Sequence, residues 1–401
     1  MPGAPPPSTA ALRLFYLAIF AVVGLYLPLL PPWLEARGVQ GLAMGAAVAT
    51  IPAMGVIAPP VFGLIADAWG LHGRLLRLAS AGALAAIALL AIAAQLDVAL
   101  GPAALFALVL AFAFFRAPIV PLADVIALEL AFRAGTTYGR IRLWGSVGFA
   151  LAAIVSGAWL NPARYAPLPT AIAAALALML ATSLFLPART AAPPRPVPEH
   201  VQGLIRSADF RLFLAASLLG QAAHAAYDLC FTLHLRDLGV APGISGAAWA
   251  IGVAAEIALM AGSGLVLARA RPPALLAVAF AGGAIRWALL AVVRSPAVLL
   301  ALQPLHGVSF GLMWIASVTY LAQRVAPHVL ATAQGLFVAS AATGTVIGML
   351  AWGPIYRQFG GALTFGAASA TAGLAFVLAV AYGRAESRWQ REREACVAGA
   401  G

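Results

Sequence analysis

The chain has 401 residues, of which 63% are hydrophobic and 9% charged, and its formal net charge is +11. Because a soluble domain carries roughly 25% charged residues, this composition excludes an ordinary water-soluble protein. Every basic residue is an arginine. The arginines lie in short loops between apolar runs rather than on one solvated face, which argues against nucleic-acid binding.

Apolar runs long enough to cross a bilayer follow one another along the chain. A spanning helix needs about 20 mostly apolar residues, and these runs do not alternate as barrel strands do. They predict an all-α membrane protein with twelve transmembrane helices. The predicted spans are residues 12–32, 42–66, 75–95, 102–129, 140–160, 170–187, 210–235, 246–268, 274–293, 297–322, 334–353 and 362–383.

A proline-rich stretch at residues 193–198 separates the sixth and seventh spans. Since proline stops a helix, this stretch predicts a linker between two six-helix halves around a central cavity. The predicted segments are an N-terminal six-helix bundle (1–187), a cytoplasmic linker (188–209), a C-terminal six-helix bundle (210–383) and a cytoplasmic tail (384–401).

The arginine distribution predicts the topology. With the N-terminus inside, 17 of the 24 arginines fall in inner segments and 5 in outer segments, and Arg116 and Arg286 lie within spans. An excess of basic residues marks cytoplasmic loops. The bias predicts an even number of spans and cytoplasmic termini in a bacterial-type inner membrane.

Ionisable residues inside the predicted spans mark candidate sites. Such groups cost roughly 2.5–3.5 kcal/mol at a helix centre on insertion scales, so they usually face a cavity or each other. They come from both halves, as a site between two repeats requires. The candidates are Arg116, Asp124, Arg142, His224, Asp228, Glu256, Arg286 and His306.

Residue spacing groups some of these candidates. Gln221, His224 and Asp228 are three and four residues apart, so they share one helix face. Asp124 and Arg142 flank the short loop between the fourth and fifth spans and can meet across adjacent helices. Two alternatives remain open: Arg142 as a loop residue that only sets topology, and His224 as a packing histidine.

The loop after the second span reads GLIADAWGLHGRLLR. It predicts a tight turn with a carboxylate, Asp67, and a cation, Arg74, that can pair in one transport state and separate in another. The loop resembles the signature motif of the major facilitator superfamily. Gly63, Asp67, Gly70 and Arg74 carry the resemblance, which implies conformational gating, while Leu71 replaces a basic residue.

A narrower resemblance covers nearly the whole chain. The segments VPLADVIALEL, YGRIRLWGSVGF, QAAHAAY, GVAAE, AIRW and LHG resemble the 3-phenylpropionic acid transporter branch, which is similar to lactose permease. The resemblance implies roles in substrate binding and in proton coupling. The implied substrate-binding residues are Asp124, Arg142, the stacking aromatic Phe149 and Asp228, and the implied coupling residues are Glu256, Arg286 and His306.

Two departures limit the comparison with lactose permease. Ser309 stands where that family member has a proton-releasing glutamate, and the chain has no lysine to neutralise Asp228. Sugar transport by the lactose mechanism is therefore not expected. Gly344 and Gly348 are predicted to permit close helix packing.

These observations favour alternating-access proton symport of a small aromatic or other organic acid. Arg116, Arg142 or Arg286 would hold the carboxylate, since guanidinium offers a bidentate fork, and Glu256 would take the proton. We expect a monomer driven by the proton gradient, without cofactor, metal or enzymatic activity. The alternatives are a proton-driven exporter of amphipathic drugs or metabolites, with Asp228 as its cation site, and a non-transporting membrane sensor.

Overall fold

The computed structural model describes residues 9–39, 41–96, 98–159, 167–188, 198–240 and 242–398, and this part of the chain is helical without strands. Its helices are α1 (Ala10–Glu35), α2 (Gly41–Trp69), α3 (His72–Gln95), α4 (Pro102–Arg116), α5 (Ile119–Arg133), α6 (Tyr138–Trp159), α7 (Leu168–Ser183), α8 (Pro198–Arg206), α9 (Ala208–Asp237), α10 (Pro242–Ala261), α11 (Ser263–Arg269), α12 (Pro272–Val292), α13 (Pro296–Ala301), α14 (Met313–Arg324) and α15 (Leu330–Ala398).

Several predicted spans correspond to broken helices. The fourth is α4 followed by α5, with Ala117 and Pro118 between them. The eighth consists of helical segments of α10 and α11 bent by 64°. The last two spans fall within α15, which is interrupted at Gly360. The φ angle of Gly360 is +75°, a left-handed conformation that glycine adopts without strain.

Within the described ranges, six helical stretches are long and apolar enough to cross a membrane, or seven if the bent α10–α11 pair forms one span. One of the six is the 61-residue stretch from Pro327 to Ser387. Since one crossing needs about 20 residues, this stretch is long enough for two. The helices are those of a multi-pass membrane protein and are consistent with twelve spans.

The first compact unit comprises residues 1–195, 260–263 and 325–339. Within it, α1 packs on α6 and α7, and α3 packs on α4 and α7. Gly148 of α6 lies against the backbone of Leu17, where a Cβ atom would collide. This glycine therefore allows α1 and α6 to approach closely.

The second compact unit comprises residues 196–259, 264–324 and 340–401. In this unit α12 packs on α14 and on a π-helical turn at Gly307–Leu312. Gly344 and Gly348 of α15 lie against the backbones of Leu218 and Ala222. This confirms that these glycines permit close packing.

Residues 189–197 of the predicted linker lie outside the described residues. The helix α8 follows as far as Arg206, and α9 begins within the predicted linker at Ala208. The helix α15 continues from the last span through the predicted tail as far as Ala398.

Candidate substrate and coupling sites

In the first unit, two tyrosine hydroxyls hold the buried carboxylate of Asp124. The Oη atoms of Tyr16 (α1) and Tyr138 (α6) donate to Oδ1 of Asp124 (α5) at 2.5 and 2.9 Å. The carboxylate has 0% exposed surface, and its Oδ2 atom has no hydrogen-bond partner among the described residues. We call Tyr16, Phe20, Asp124, Tyr138 and Arg142 the Asp124 cluster.

Arg142 lies within α6 and is 2% exposed, so it is a buried residue rather than a loop residue. Its guanidinium carbon is 3.8 Å from the centroid of the Phe20 ring and 5.7 Å from that of Tyr16. Its Nε and Nη1 atoms have no hydrogen-bond partner among the described residues. Asp124 is not within ion-pair distance of Arg142, since the two tyrosines hold the carboxylate.

Two other predicted substrate residues lie in the same unit. Phe149 is partly exposed and follows Arg142 by seven residues, so it is on the same helix face about two turns further along. Arg116 closes α4, with its guanidinium carbon 5.5 Å from the Tyr26 ring centroid. The Nε atom of Arg116 has no hydrogen-bond partner in the described structure.

In the second unit, the fully buried Arg286 of α12 is held by polar side chains. Its Nη2 donates to Gln303 Oε1 at 2.8 Å, and its Nη1 donates to His306 Nδ1 at 3.1 Å. The guanidinium carbon is 4.2 Å from the Tyr227 ring centroid. We call Tyr227, Glu256, Arg286, Gln303 and His306 the Arg286 cluster.

The contact with Arg286 fixes the tautomer of His306. A guanidinium has donors but no acceptor, so Nδ1 must carry the lone pair, and the proton of the neutral ring is on Nε2. That atom lies 3.7 Å from Oε2 of Glu256. The distance is within ion-pair range but longer than a direct hydrogen bond. Glu256, His306 and Arg286 therefore form a buried series of acidic, neutral and cationic groups.

His224 and Asp228 border this cluster. The His224 ring centroid lies 5.5 Å from His306 and 5.1 Å from Phe310, so this histidine packs among aromatic rings. Its Nε2 is also 3.6 Å from Oδ1 of Asp228, whose side chain is 40% exposed. Asp228 is thus at the surface of the second unit, near one potential cation.

The π-helical turn at Gly307–Leu312 begins directly after His306. A Cβ atom on Gly307 would collide with the backbone of Ala255, and one on Gly311 would press on the Glu256 side chain. The two glycines thus let this wide turn pack on the part of α10 that carries Glu256. Isolated π turns are frequent at functional sites.

The predicted gating loop holds its carboxylate with a histidine. Asp67 is 2.9 Å from His72 Nε2 and accepts from the backbone N–H groups of Ala331 and Thr332. Gly63 lies against the backbone of Ala331, and Gly70 has a φ of +63°. Arg74 is exposed, and the side chain of this loop that lies within hydrogen-bond distance of Asp67 in this structure is His72.

Another carboxylate lies ahead of the predicted seventh span. Asp209, in the first turn of α9, accepts from Arg324 Nε at 2.7 Å and from Tyr320 Oη at 3.1 Å. Burial favours a raised pKa for this carboxyl, but the charge and hydrogen bonds of Arg324, with smaller contributions from Ser207 and Tyr320, hold its pKa below the ordinary value.

Sequence reasoning did not identify Tyr16, Phe20, Tyr138 or His72 as site residues. The three aromatic residues lie in apolar or loop-flanking stretches where aromatic side chains usually pack, so the sequence carries no distinguishing signal. His72 was detectable, because it lies two residues after Gly70 in a motif rich in basic residues. Within the described ranges, no three His, Cys, Asp or Glu residues are grouped to hold a metal ion.

Comparison with known proteins assigns the chain to a family. The model of the MFS_1 like family matches residues 9–367. The probable 3-phenylpropionic acid transporter of Escherichia coli K12 is 28% identical over 88% of this chain and 92% of its own. The maltose permease of Geobacillus stearothermophilus is 32% identical over 81% of this chain and 82% of its own.

Solved structures agree on the fold. The human organic anion transporter TETRAN superposes with a TM-score of 0.74 at 17% identity, covering 92% of this chain and 98% of its own. Together with the family match and the apolar helices, this identifies the chain as a multi-pass membrane transporter and not an enzyme. The chain belongs to the MFS_1 like family of the major facilitator superfamily.

Proposed function

We propose that the protein is a proton-coupled symporter of a small aromatic carboxylic acid, working by alternating access in a bacterial-type inner membrane with both termini in the cytoplasm. The observation that supports this most directly is the buried guanidinium of Arg142, whose Nε and Nη1 atoms lack hydrogen-bond partners among the described residues. An unpaired buried cation is costly, and a substrate carboxylate would neutralise its charge and accept a hydrogen bond from it.

Arg142 is a better carboxylate ligand than Arg286. Both terminal nitrogens of Arg286 already donate to His306 and Gln303, so a substrate would have to displace contacts within the protein. Arg116 is only partly buried, which weakens its hold on an anion because water screens the charge.

An aromatic substrate fits the surroundings of Arg142. The guanidinium lies over the Phe20 ring, and Phe149 presents a second ring further along the same face of α6. A ring attached to the bound carboxylate could stack there, as aromatic pairs do. The similarity to the E. coli protein, a probable 3-phenylpropionic acid transporter, supports the same substrate class.

Glu256 is the proposed proton carrier. It is 6% exposed, and ionisable residues buried in transmembrane helices usually mark ion or proton pathways. Its Oε2 atom lies 3.7 Å from Nε2 of His306, whose other ring nitrogen accepts from Arg286. Glu256 is thus a buried acidic group beside a neutral imidazole, which suits it to carry a proton.

Uptake of 3-phenylpropionate into proteoliposomes tests the proposal. We expect accumulation when the outside is acidic and none after the gradient is collapsed. Glu256→Gln should still bind and exchange substrate across the membrane but should lose gradient-driven accumulation. Glu129→Gln, which removes a partly exposed carboxylate paired with Arg133, is the matched control and should accumulate normally.

Uptake that does not depend on the proton gradient would refute the coupling, and competition by maltose instead of 3-phenylpropionate would refute the substrate class.

The second candidate function is export of a cationic amphipathic compound, which the exposed carboxylate of Asp228 favours. Proton-dependent extrusion of such a compound, lost in Asp228→Asn, would support that candidate.

A further inference from the structure

A groove of about 760 Å³ lies within the second unit, between the first turns of α12 and the part of α15 that follows Gly360. Its walls are mostly small and apolar, and they include Pro273, Ala274, Ala277, Ala379 and Val380. None of the residues proposed above to bind substrate or protons lines it. It is therefore distinct from the proposed substrate and proton sites.

One end of the groove carries a positive charge. Arg271, Arg384, Glu386 and Ser387 line this end. Arg271 donates to Glu386 at 2.6 Å and to the Ser387 hydroxyl at 3.5 Å, yet its side chain remains 53% exposed. Arg384 is exposed and forms no ion pair with a residue that the structure describes. Among these described lining residues, two arginines stand against one glutamate.

Apolar side chains extend the groove along the surfaces of its two helices. On α12, Val278 is 53% exposed, and it follows Ala274 by one turn. On α15, Leu374 and Val377 are 52% and 57% exposed, and they precede Val380 on the same face. In a membrane such side chains contact hydrocarbon. The surface is thus cationic at the groove mouth and apolar beyond it.

We propose that this groove binds one anionic phospholipid, with its phosphate on Arg384 and Arg271 and an acyl chain along the small apolar residues. Guanidinium groups bind phosphate oxygens in pairs, and basic pockets between membrane helices hold anionic headgroups. A free phosphate ion would leave the apolar walls uncovered. A zwitterionic lipid would bring an ammonium group towards the two arginines, so charge complementarity selects the anionic lipid.

Native mass spectrometry of the delipidated full-length protein tests the site. Dioleoyl phosphatidylglycerol should bind more tightly than dioleoyl phosphatidylcholine. Arg384→Gln should weaken phosphatidylglycerol binding by about tenfold, the effect of losing one charge-assisted contact. Arg269→Gln removes an exposed arginine outside the groove and should leave binding unchanged. Ala274→Trp fills the groove without changing its charge and should also weaken binding.

Two results would overturn the proposal. Equal binding of the two lipids, or equal losses in Arg384→Gln and Arg269→Gln, would show that the protein attracts anionic lipid only through its overall charge. Displacement of phosphatidylglycerol by millimolar inorganic phosphate, with Ala274→Trp binding like the wild type, would show a phosphate site without a lipid groove. Because Ala274→Trp leaves Arg384 in place, the test does not depend on the folding of one variant.

Discussion

Two arginines that are buried in the described part of this transporter lie in contrasting surroundings. Arg286 donates to Gln303 and His306 and has one unpartnered donor atom, Nε, whereas Arg142 lies on the Phe20 ring with two donor atoms unpartnered in the described structure. Both are almost fully buried, so burial alone does not distinguish them. The difference indicates that Arg286 is part of the internal structure of its unit, while Arg142 is available to an incoming anion.

The largest expected effect is on substrate affinity. Arg142→Met should weaken 3-phenylpropionate binding by about 100-fold, because roughly 2–3 kcal/mol of charge-assisted hydrogen bonding is lost. Arg142→Lys keeps the charge but not the planar guanidinium, and its affinity should lie between those of the wild type and Arg142→Met. Isothermal calorimetry on detergent-purified protein measures this. Arg133→Met, at an exposed ion pair, is the control, and similar losses in both methionine variants would remove the distinction drawn for Arg142.

Replacing Arg286 should reduce the stability of the protein more than replacing Arg142 does, the reverse of the order expected for substrate affinity. Arg286→Met leaves the acceptors of Gln303 and His306 without their donor and should lower the free energy of unfolding by about 3 kcal/mol. Arg142→Met removes a cation held by ring contacts and should change it by about 1 kcal/mol or less. Thermal unfolding in detergent compares them, and an equal drop in both would contradict the contrast.

A smaller effect is expected from the tyrosines that hold Asp124. Tyr16→Phe removes the 2.5 Å hydrogen bond and should lower the free energy of unfolding by about 1.5–3 kcal/mol. It should also free the carboxylate to turn towards Arg142, which would weaken substrate binding several-fold. Tyr138→Phe, which removes the 2.9 Å contact, is the matched comparison. Unchanged affinity in both variants would show that Asp124 does not compete for Arg142.

The smallest effect concerns pH. Since Asp209 has a lowered pKa in the folded state, its stabilising contribution is present above the unfolded value of about 3.9. It is lost as pH falls through the lower folded value. Asp209→Asn should therefore be less stable than the wild type near pH 6 and approach it as the medium is acidified towards pH 3. Thermal unfolding measured at each pH compares the two proteins. A stability difference that stays constant across this pH range would argue against the assigned contact with Arg324.

The apolar runs predicted the positions of the helices well, because about 20 apolar residues in sequence leave few alternatives in a membrane. The breaks were harder to predict. Pro118 and Gly360 are residue types that interrupt helices, and the bend between α10 and α11 falls at Gly262, Ser263 and Gly264, a glycine and serine stretch that can kink a helix. Glycine is also frequent inside unbroken transmembrane helices, so hydropathy does not distinguish this break.

The candidate sites were partly predictable. Ionisable residues in apolar spans stood out individually, and Arg142, Asp124, Glu256, Arg286 and His306 are all buried. Their partners did not stand out. Tyr16 and Tyr138 are 108 and 14 residues from Asp124 along the chain, and only the folded unit brings the three together. Asp228 was predicted to face a cavity or a partner, and its side chain is 40% exposed and 3.6 Å from His224 in this structure.

The single donor that Arg286 offers to His306 has a consequence for proton movement. An imidazole conducts protons only if one nitrogen can accept while the other releases. Here Nδ1 accepts from the guanidinium of Arg286, which does not give up its proton. The His306 ring therefore cannot relay a proton from one of its nitrogens to the other. In the proposed mechanism, a proton bound at Glu256 would then leave by the path on which it arrived, once that path opens to the other side of the membrane.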